Sequence, residues 1–183
     1  MNSDTDSNPI AEVLCREVKD GDESKFKAKS SRAGTGGGAR DFRYSKEKYG
    51  NVLNRFFPFG PKMDRNTWYR YNSFSFFDRA SLTWGKPREV LLKCEPTNSR
   101  SSEVYIARTS QLPFDENRPK VDESDGLLFL ALVRMRHGLP RIAFITERQI
   151  NNPSSNSAIA AKMNEAIEHK RGNDAVIFSI RFE

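Results

Sequence analysis

Residues 25–48 read KFKAKSSRAGTGGGARDFRYSKEK and hold the densest chemistry of the chain. Eight cations (Lys25, Lys27, Lys29, Arg32, Arg40, Arg43, Lys46 and Lys48) stand against two acids, Asp41 and Glu47, so the segment's net charge of +6 equals that of the whole 183-residue protein. At its centre lies Gly34-Thr-Gly-Gly-Gly38, a backbone almost without side chains. Cations displace the counterions condensed on a polyanion, and the bare N–H groups of residues such as Gly36 and Gly37 can reach phosphate oxygens. Arginine also reads guanine edges best, and Arg32, Arg40 and Arg43 bracket the glycines. The glycines do not form a Walker A loop, because no Lys-Ser/Thr follows Gly38. They come close to a dinucleotide fingerprint, but ARDFRY reads as strand where that motif needs a helix. A plain flexible linker accounts for the glycines and leaves the flanking arginines unexplained.

The elements that position this segment follow from periodicity. Apolar residues at 10, 13, 14 and 18 fit a short helix or an irregular strand. Phe26 to Ser31 alternates as a strand, and Phe42 to Tyr44 as another. Lys46 to Phe57 carries apolar residues at helical spacing until Pro58 and Pro61 stop it. Strands are expected at 88–94, 103–108, 127–135 and 141–146, the last two as a hairpin, and at 175–182. Ala158 to Lys170 reads as a helix ended by Gly172, and Thr109 to Asp125 as a loop. The expected fold is α+β, mainly β: a mixed or antiparallel pseudobarrel with about two helices. Residues 1–24, net −5, are expected as an acidic, partly disordered leader, and 25–183 as one domain with an aromatic insert at 62–86 and a strand-helix-strand extension at 140–183.

Composition narrows the partners. A net charge of +6 favours nucleic acid over a membrane surface. No apolar run approaches the about 20 residues of a membrane span, and the polar start MNSDTDSNPI is no secretory signal. The expectation is a cytoplasmic protein with no membrane partner. Cys15 and Cys94 lie far apart without metal-type spacing and read as reduced thiols.

Two other chemistries stay open. Glu89, Lys93 and Glu95 fall on one strand face, and with Asp115, Glu116, Asp122, Glu123 and Asp125 they sketch a small Mg-dependent endonuclease. The aromatic stretch Trp68 to Trp84, interleaved with Arg70 and Arg79, suits either core packing or a stacking groove for RNA or single strands. His137 and His169 read as surface residues, so no catalytic residue, metal or cofactor is assigned.

The order of segments resembles the N-terminal effector-DNA-binding domain of EcoRII-type restriction endonucleases, a relative of the plant transcription-factor DNA-binding pseudobarrel. The resemblance covers residues 25–58 and 88–135. It rests on the Lys-flanked strand, the Gly/Thr-rich loop, the return strand ending at Tyr44, the helix ending Phe-Phe-Pro58 and the strand in SSEVYIAR. It implies a sequence-specific double-stranded DNA-binding module of a restriction or defence system. In that family two loop arms embrace the duplex and read its major groove, and catalysis here would fall to a separate subunit. Carried over, the first arm runs from Lys29 to Tyr44 and the second from Arg108 to Lys120, with Arg108, Asn117, Arg118 and Lys120 as contacts. Gln111 and Asn117 would pair with adenine, Arg40 and Arg43 with guanine, and Lys29 and Lys46 with phosphate.

Overall fold

Strand formation in this chain follows alternation wherever one face is wet, and continuous apolarity wherever both faces are covered. The computed structural model describes residues 9–26, 42–64, 67–94 and 103–183. In chain order its elements are β1 (Ile10–Glu17), α1 (Glu23–Phe26), β2 (Phe42–Ser45), α2 (Lys46–Phe56), β3 (Phe59–Asp64), β4 (Thr67–Asp78), β5 (Thr83–Trp84), β6 (Arg88–Cys94), β7 (Glu103–Ala107), α3 (Phe114–Asn117), β8 (Leu128–Met135), β9 (Arg141–Thr146), α4 (Glu147–Ile150), α5 (Ser157–Glu168) and β10 (Ile177–Arg181). The protein is α+β and mainly β, and only α2 and α5 exceed a single turn among the described residues.

The ten strands form one open mixed sheet in the order β10-β1-β8-β9-β4-β6-β7-β2, with β3 and β5 also pairing with β4. Every pairing is antiparallel except β4 with β9, which joins the two halves through Ser75 opposite Arg141 and Phe76 opposite Ile142. The sheet curls around one core. Leu14, Leu130 and Leu132 from the first half meet Phe42, Phe74, Val90, Leu92 and Ile106 from the second, and Leu53, Phe56 and Phe57 at the end of α2 fill the same interior. The other faces of β1 and β8 (Val13, Cys15, Phe129, Ala131) pack under α4 and α5 through Ile150 and Met163. Strands covered on both sides read as unbroken apolar runs, which explains LFLALV in β8.

Several expectations are met closely. The β8–β9 hairpin, β6, β7, α2, α5 and β10 lie where periodicity places them, within a few residues at their ends. Others differ. Of the two readings for residues 10–18, a short helix or an irregular strand, the strand is found: Ile10–Glu17, within the span expected as an acidic leader, pairs on both edges with β8 and β10. Its charged residues are tolerated because each finds a partner: Glu12 meets Arg55 and Arg134, and Glu17 meets Lys170. Phe26, expected to open a strand, ends the one-turn helix α1, and residues 27–31 lie outside the described residues. The 62–86 segment supplies β4, which pairs with four other strands. Leu82, within that segment, sits in a turn at φ 55 and is exposed. The 109–125 loop carries α3, where Phe114 is fully buried. No helix among the described residues is long and apolar enough to cross a membrane.

The two ends of the sheet are linked by side chains. Arg16 of β1 donates from Nε to the Arg43 carbonyl of β2 (2.9 Å). Its Nη1 reaches the Asp22 carboxylate and the Glu17 carbonyl, both at 2.9 Å, and its guanidinium lies 3.9 Å from the Phe42 ring centroid. The Tyr49 hydroxyl of α2 donates to the Ile177 carbonyl of β10 (2.9 Å).

Two outcomes follow. Phe114→Ala, which empties a site ringed by Phe26, Phe76 and Phe144, costs about 3–5 kcal/mol in denaturant unfolding. For Asp22, burial acts to raise the pKa, but the Lys25 hydrogen bond and the Arg16 charge outweigh it and hold the carboxyl below its ordinary 3.8. Its stabilising contribution is therefore complete above that ordinary value and is lost as pH falls through the lower folded one. Asp22→Asn is less stable than the parent in urea at neutral pH, and the gap narrows on acidification.

Candidate nucleic-acid interface

Period-two alternation in the Thr67–Asp78 strand sends Arg70 and Asn72 to one face and Tyr69 and Tyr71 to the other. The inward pair fastens α2: Asn72 Nδ2 donates to the Phe56 carbonyl (2.8 Å) and Arg70 Nε to the Phe57 carbonyl (2.7 Å). The outward pair starts a pattern that runs across the sheet. Register places Lys62 opposite Tyr69, Tyr69 opposite Lys93, Lys93 opposite Tyr105, and Tyr105 opposite Arg43. One rung through β3, β4, β6, β7 and β2 thus alternates cation and ring from edge to edge.

The rings hold the cations at the surface. Arg43 Cζ lies 5.3 Å from the Tyr105 centroid and Lys93 Nζ 5.6 Å from the same ring. Arg108 Cζ lies 5.6 Å from Tyr69, and Lys62 Nζ 4.4 Å from Tyr71. Such contacts are favourable by about 0.5–1 kcal/mol at exposed sites. Tyr69 and Tyr105 are only 9% and 8% exposed, so the cations form the outer layer of this face. The rung depends on a bulge in β3. Phe59 faces Tyr71 and Lys62 faces Tyr69, so β3 carries one extra residue. Gly60 at φ 105 makes the bulge, and a Cβ there would lie 2.9 Å from the Tyr69 carbonyl oxygen.

Two carboxylates share the face. Glu103 pairs with Arg43 at 3.2 Å and Glu89 with Lys62 at 2.7 Å, all four side chains being 39–49% exposed. Exposed pairs of this kind contribute about 0–1 kcal/mol, so a phosphate can replace either carboxylate at small cost. Beyond the rung the face continues into a cleft of about 350 Å³ lined by Arg88, Glu89, Leu91, Ala107, Arg108, Gln111 and Leu112.

The structure also joins the bases of the two expected arms. Phe26, at the end of α1, and Phe42, the first residue of β2, bound residues 27–41, and these two rings meet at 5.6 Å. Phe26 contacts Phe114 of the second arm at 5.2 Å, and the Thr109 hydroxyl donates to the Lys25 carbonyl (2.8 Å).

The expected contact residues divide into groups. Lys29, Arg32, Gly36, Gly37 and Arg40 lie outside the described residues. Arg43 and Arg108 are brought onto the same sheet face, and Gln111 shares the smaller cleft with Arg108. Lys46 is exposed at the start of α2, and Lys120 is exposed after α3. Asn117 is turned elsewhere, its Oδ1 accepting from the Arg79 backbone N–H (3.4 Å), and Arg118 is half-buried. Tyr69, Tyr105 and Lys62 were not expected here. Alternation in WYRY and EVYIA marks their facing, but the register that aligns them is a property of the folded sheet.

The nuclease set fares differently. Glu89 and Lys93 do share a strand face, yet Glu89 bonds Lys62, and Glu95 lies outside the described residues. Asp122 accepts from the Ser124 N–H and hydroxyl, and Asp125 from the Asp122 N–H, closing a local turn. Among the described residues no three His, Cys, Asp or Glu side chains gather to hold a metal. No protein-family model matches this chain, and no curated protein sequence matches it.

Proposed function

We propose that the chain is a double-stranded DNA-binding module whose outer sheet face lies along the phosphate backbone. The observation that carries this reading is the rung Arg43–Tyr105–Lys93–Tyr69–Lys62, with Arg108 beside it. Cations standing on buried rings suit phosphates, which need positive charge at a surface and no penetration. Single-strand readers work differently, presenting open aromatic faces on which bases stack. Here the two tyrosines of the rung are about nine-tenths buried, which favours a duplex backbone over splayed bases.

Sequence selectivity in this reading comes from the segments that flank the face. Residues 27–41, with Lys27, Lys29, Arg32 and Arg40, enter and leave the described structure at Phe26 and Phe42. Arg108 and Gln111 border the smaller cleft. The resemblance to the effector-DNA-binding domain adds a restriction or defence setting, with catalysis on a separate subunit.

Gel-shift titration against a duplex pool at two salt concentrations tests the proposal. Lys93→Ala lowers affinity for all duplexes and reduces the salt slope by about one. Arg43→Ala, on the same rung, lowers affinity for all duplexes in the same way. Single-stranded RNA competes poorly. Both variants binding duplex like the parent, or RNA displacing duplex at equal concentration, overturns the reading.

A further inference from the structure

Because the two ends of the sheet are bridged by side chains and not zipped by strand pairing, a groove of about 1080 Å³ remains along the seam. Its walls come from the end of β1 and the turn after it, from β2 and the first turn of α2, and from the connection between α5 and β10. Seven lysines and arginines line it together with the carboxylates of Asp22, Glu103 and Asp174, and most of the cations are engaged. Arg16 and Lys25 hold Asp22, Lys19 donates to the Asn173 carbonyl, Lys170 holds Glu17 and Arg43 holds Glu103.

Two lining cations are not engaged in this way. Lys48, in the first turn of α2, and Arg171, in the α5–β10 connection, carry no acidic partner among the described residues. They come from two different walls. α2 also opens into the groove at its cap, Ser45, whose hydroxyl accepts from the Lys48 N–H (3.4 Å). The amino end of an eleven-residue helix adds partial positive charge and donor groups.

An independent observation points to a missing partner. Tyr44 lines the groove, is 1% exposed, and its hydroxyl is buried with no hydrogen-bond partner among the described residues. Buried polar groups in folded proteins are satisfied with few exceptions. Burial pushes this hydroxyl's pKa up, so it remains a donor.

We propose that the seam groove binds a phosphate monoester, with the phosphate at the first turn of α2 between Lys48, Arg171 and the Tyr44 hydroxyl. A terminal phosphate dianion matches two cations and a neutral donor set in a recess. A duplex backbone phosphate, flanked by chain on both sides, suits the open sheet face instead. The volume, just above the usual span of ligand pockets, has room for a nucleotide-sized molecule. The ligand is either a free phosphorylated small molecule or the 5′-phosphate of a nucleic-acid end, since both present the same group. This site is separate from the sheet-face contacts, although Arg43 borders both.

Calorimetric titration with adenosine 5′-monophosphate, inorganic phosphate and adenosine tests it, with thermal unfolding alongside. The phosphate-bearing probes bind and adenosine does not. Tyr44→Phe weakens adenosine 5′-monophosphate binding about 10-fold while leaving Tm unchanged or higher, because no partner is lost in the free protein. Lys48→Ala and Arg171→Ala weaken it similarly and leave duplex affinity measured with 5′-hydroxyl ends unchanged. Short duplexes with 5′-phosphate or 5′-hydroxyl ends identify the source: tighter binding of the phosphorylated duplex selects the nucleic-acid end, and equal binding selects the free monoester. Adenosine binding as tightly as its monophosphate, affinity indifferent to the three substitutions, or a fall in Tm for Tyr44→Phe each overturns the proposal.

Discussion

The buried guanidinium of Arg16 ties β1 to β2 across the open seam of this curled sheet, beside the Tyr49 hydroxyl that reaches β10. Arg16 is 8% exposed, and it satisfies its charge on Asp22, its N–H groups on the carbonyls of Glu17 and Arg43, and its flat face on Phe42. A buried cation is costly unless paired and hydrogen-bonded, and removing any one of these partners leaves the others facing an unsatisfied charge. The constraint fixes where β2 lies relative to β1. It therefore also fixes where Phe42 receives the basic, glycine-rich segment, and where Arg43 points. Closure by side chains, where a continuous ladder would zip the seam, is also what leaves the groove beside Tyr44 and Lys48.

The outer face shows how a small β protein can present charge without losing its fold. Lysine and arginine on a sheet cover the rings beneath them with their aliphatic stems and keep the charged ends in water. Tyr69, Tyr105, Leu91 and Ala107 become buried under this layer, so the same side chains that would meet phosphate also complete a small apolar cluster. Glu103 and Glu89 temper the field without abolishing it, their pairs with Arg43 and Lys62 being exposed to solvent. The arrangement explains why the aromatic stretch behaves partly as core and partly as surface: Phe74 and Phe76 point into the curl, whereas Tyr69 and Tyr71 lie outside it.

Much of the fold was legible wherever local pattern and environment agree. RIAFIT and LFLALVRM are strands on composition alone, Ser45 and Asn156 cap the helices that follow them, and Phe-Phe-Pro marks the end of α2. β1 was ambiguous because it is buried on both faces while carrying Glu12, Arg16 and Glu17, and their partners come from residues as far away as Arg134 and Lys170. β3 was missed because Pro58, Gly60 and Pro61 read as punctuation, when Gly60 in fact makes a bulge within a strand. The site divides in the same way. Charge identified Arg43 and the resemblance supplied Arg108, but the alignment of Lys62, Tyr69, Lys93 and Tyr105 needs strand register, and Asn117 was lost to a contact with a distant backbone N–H.

The central claim is that the outer face of the β3-β4-β6-β7-β2 half of the sheet meets the duplex. It is tested most directly by photo-crosslinking. A benzoylphenylalanine in place of Glu89, half-exposed on that face, is compared with one in place of Asn164, exposed on α5. The account predicts a crosslink to labelled duplex DNA from position 89 that unlabelled duplex competes away, and none from position 164. Crosslinking from position 164 with none from position 89 would contradict it.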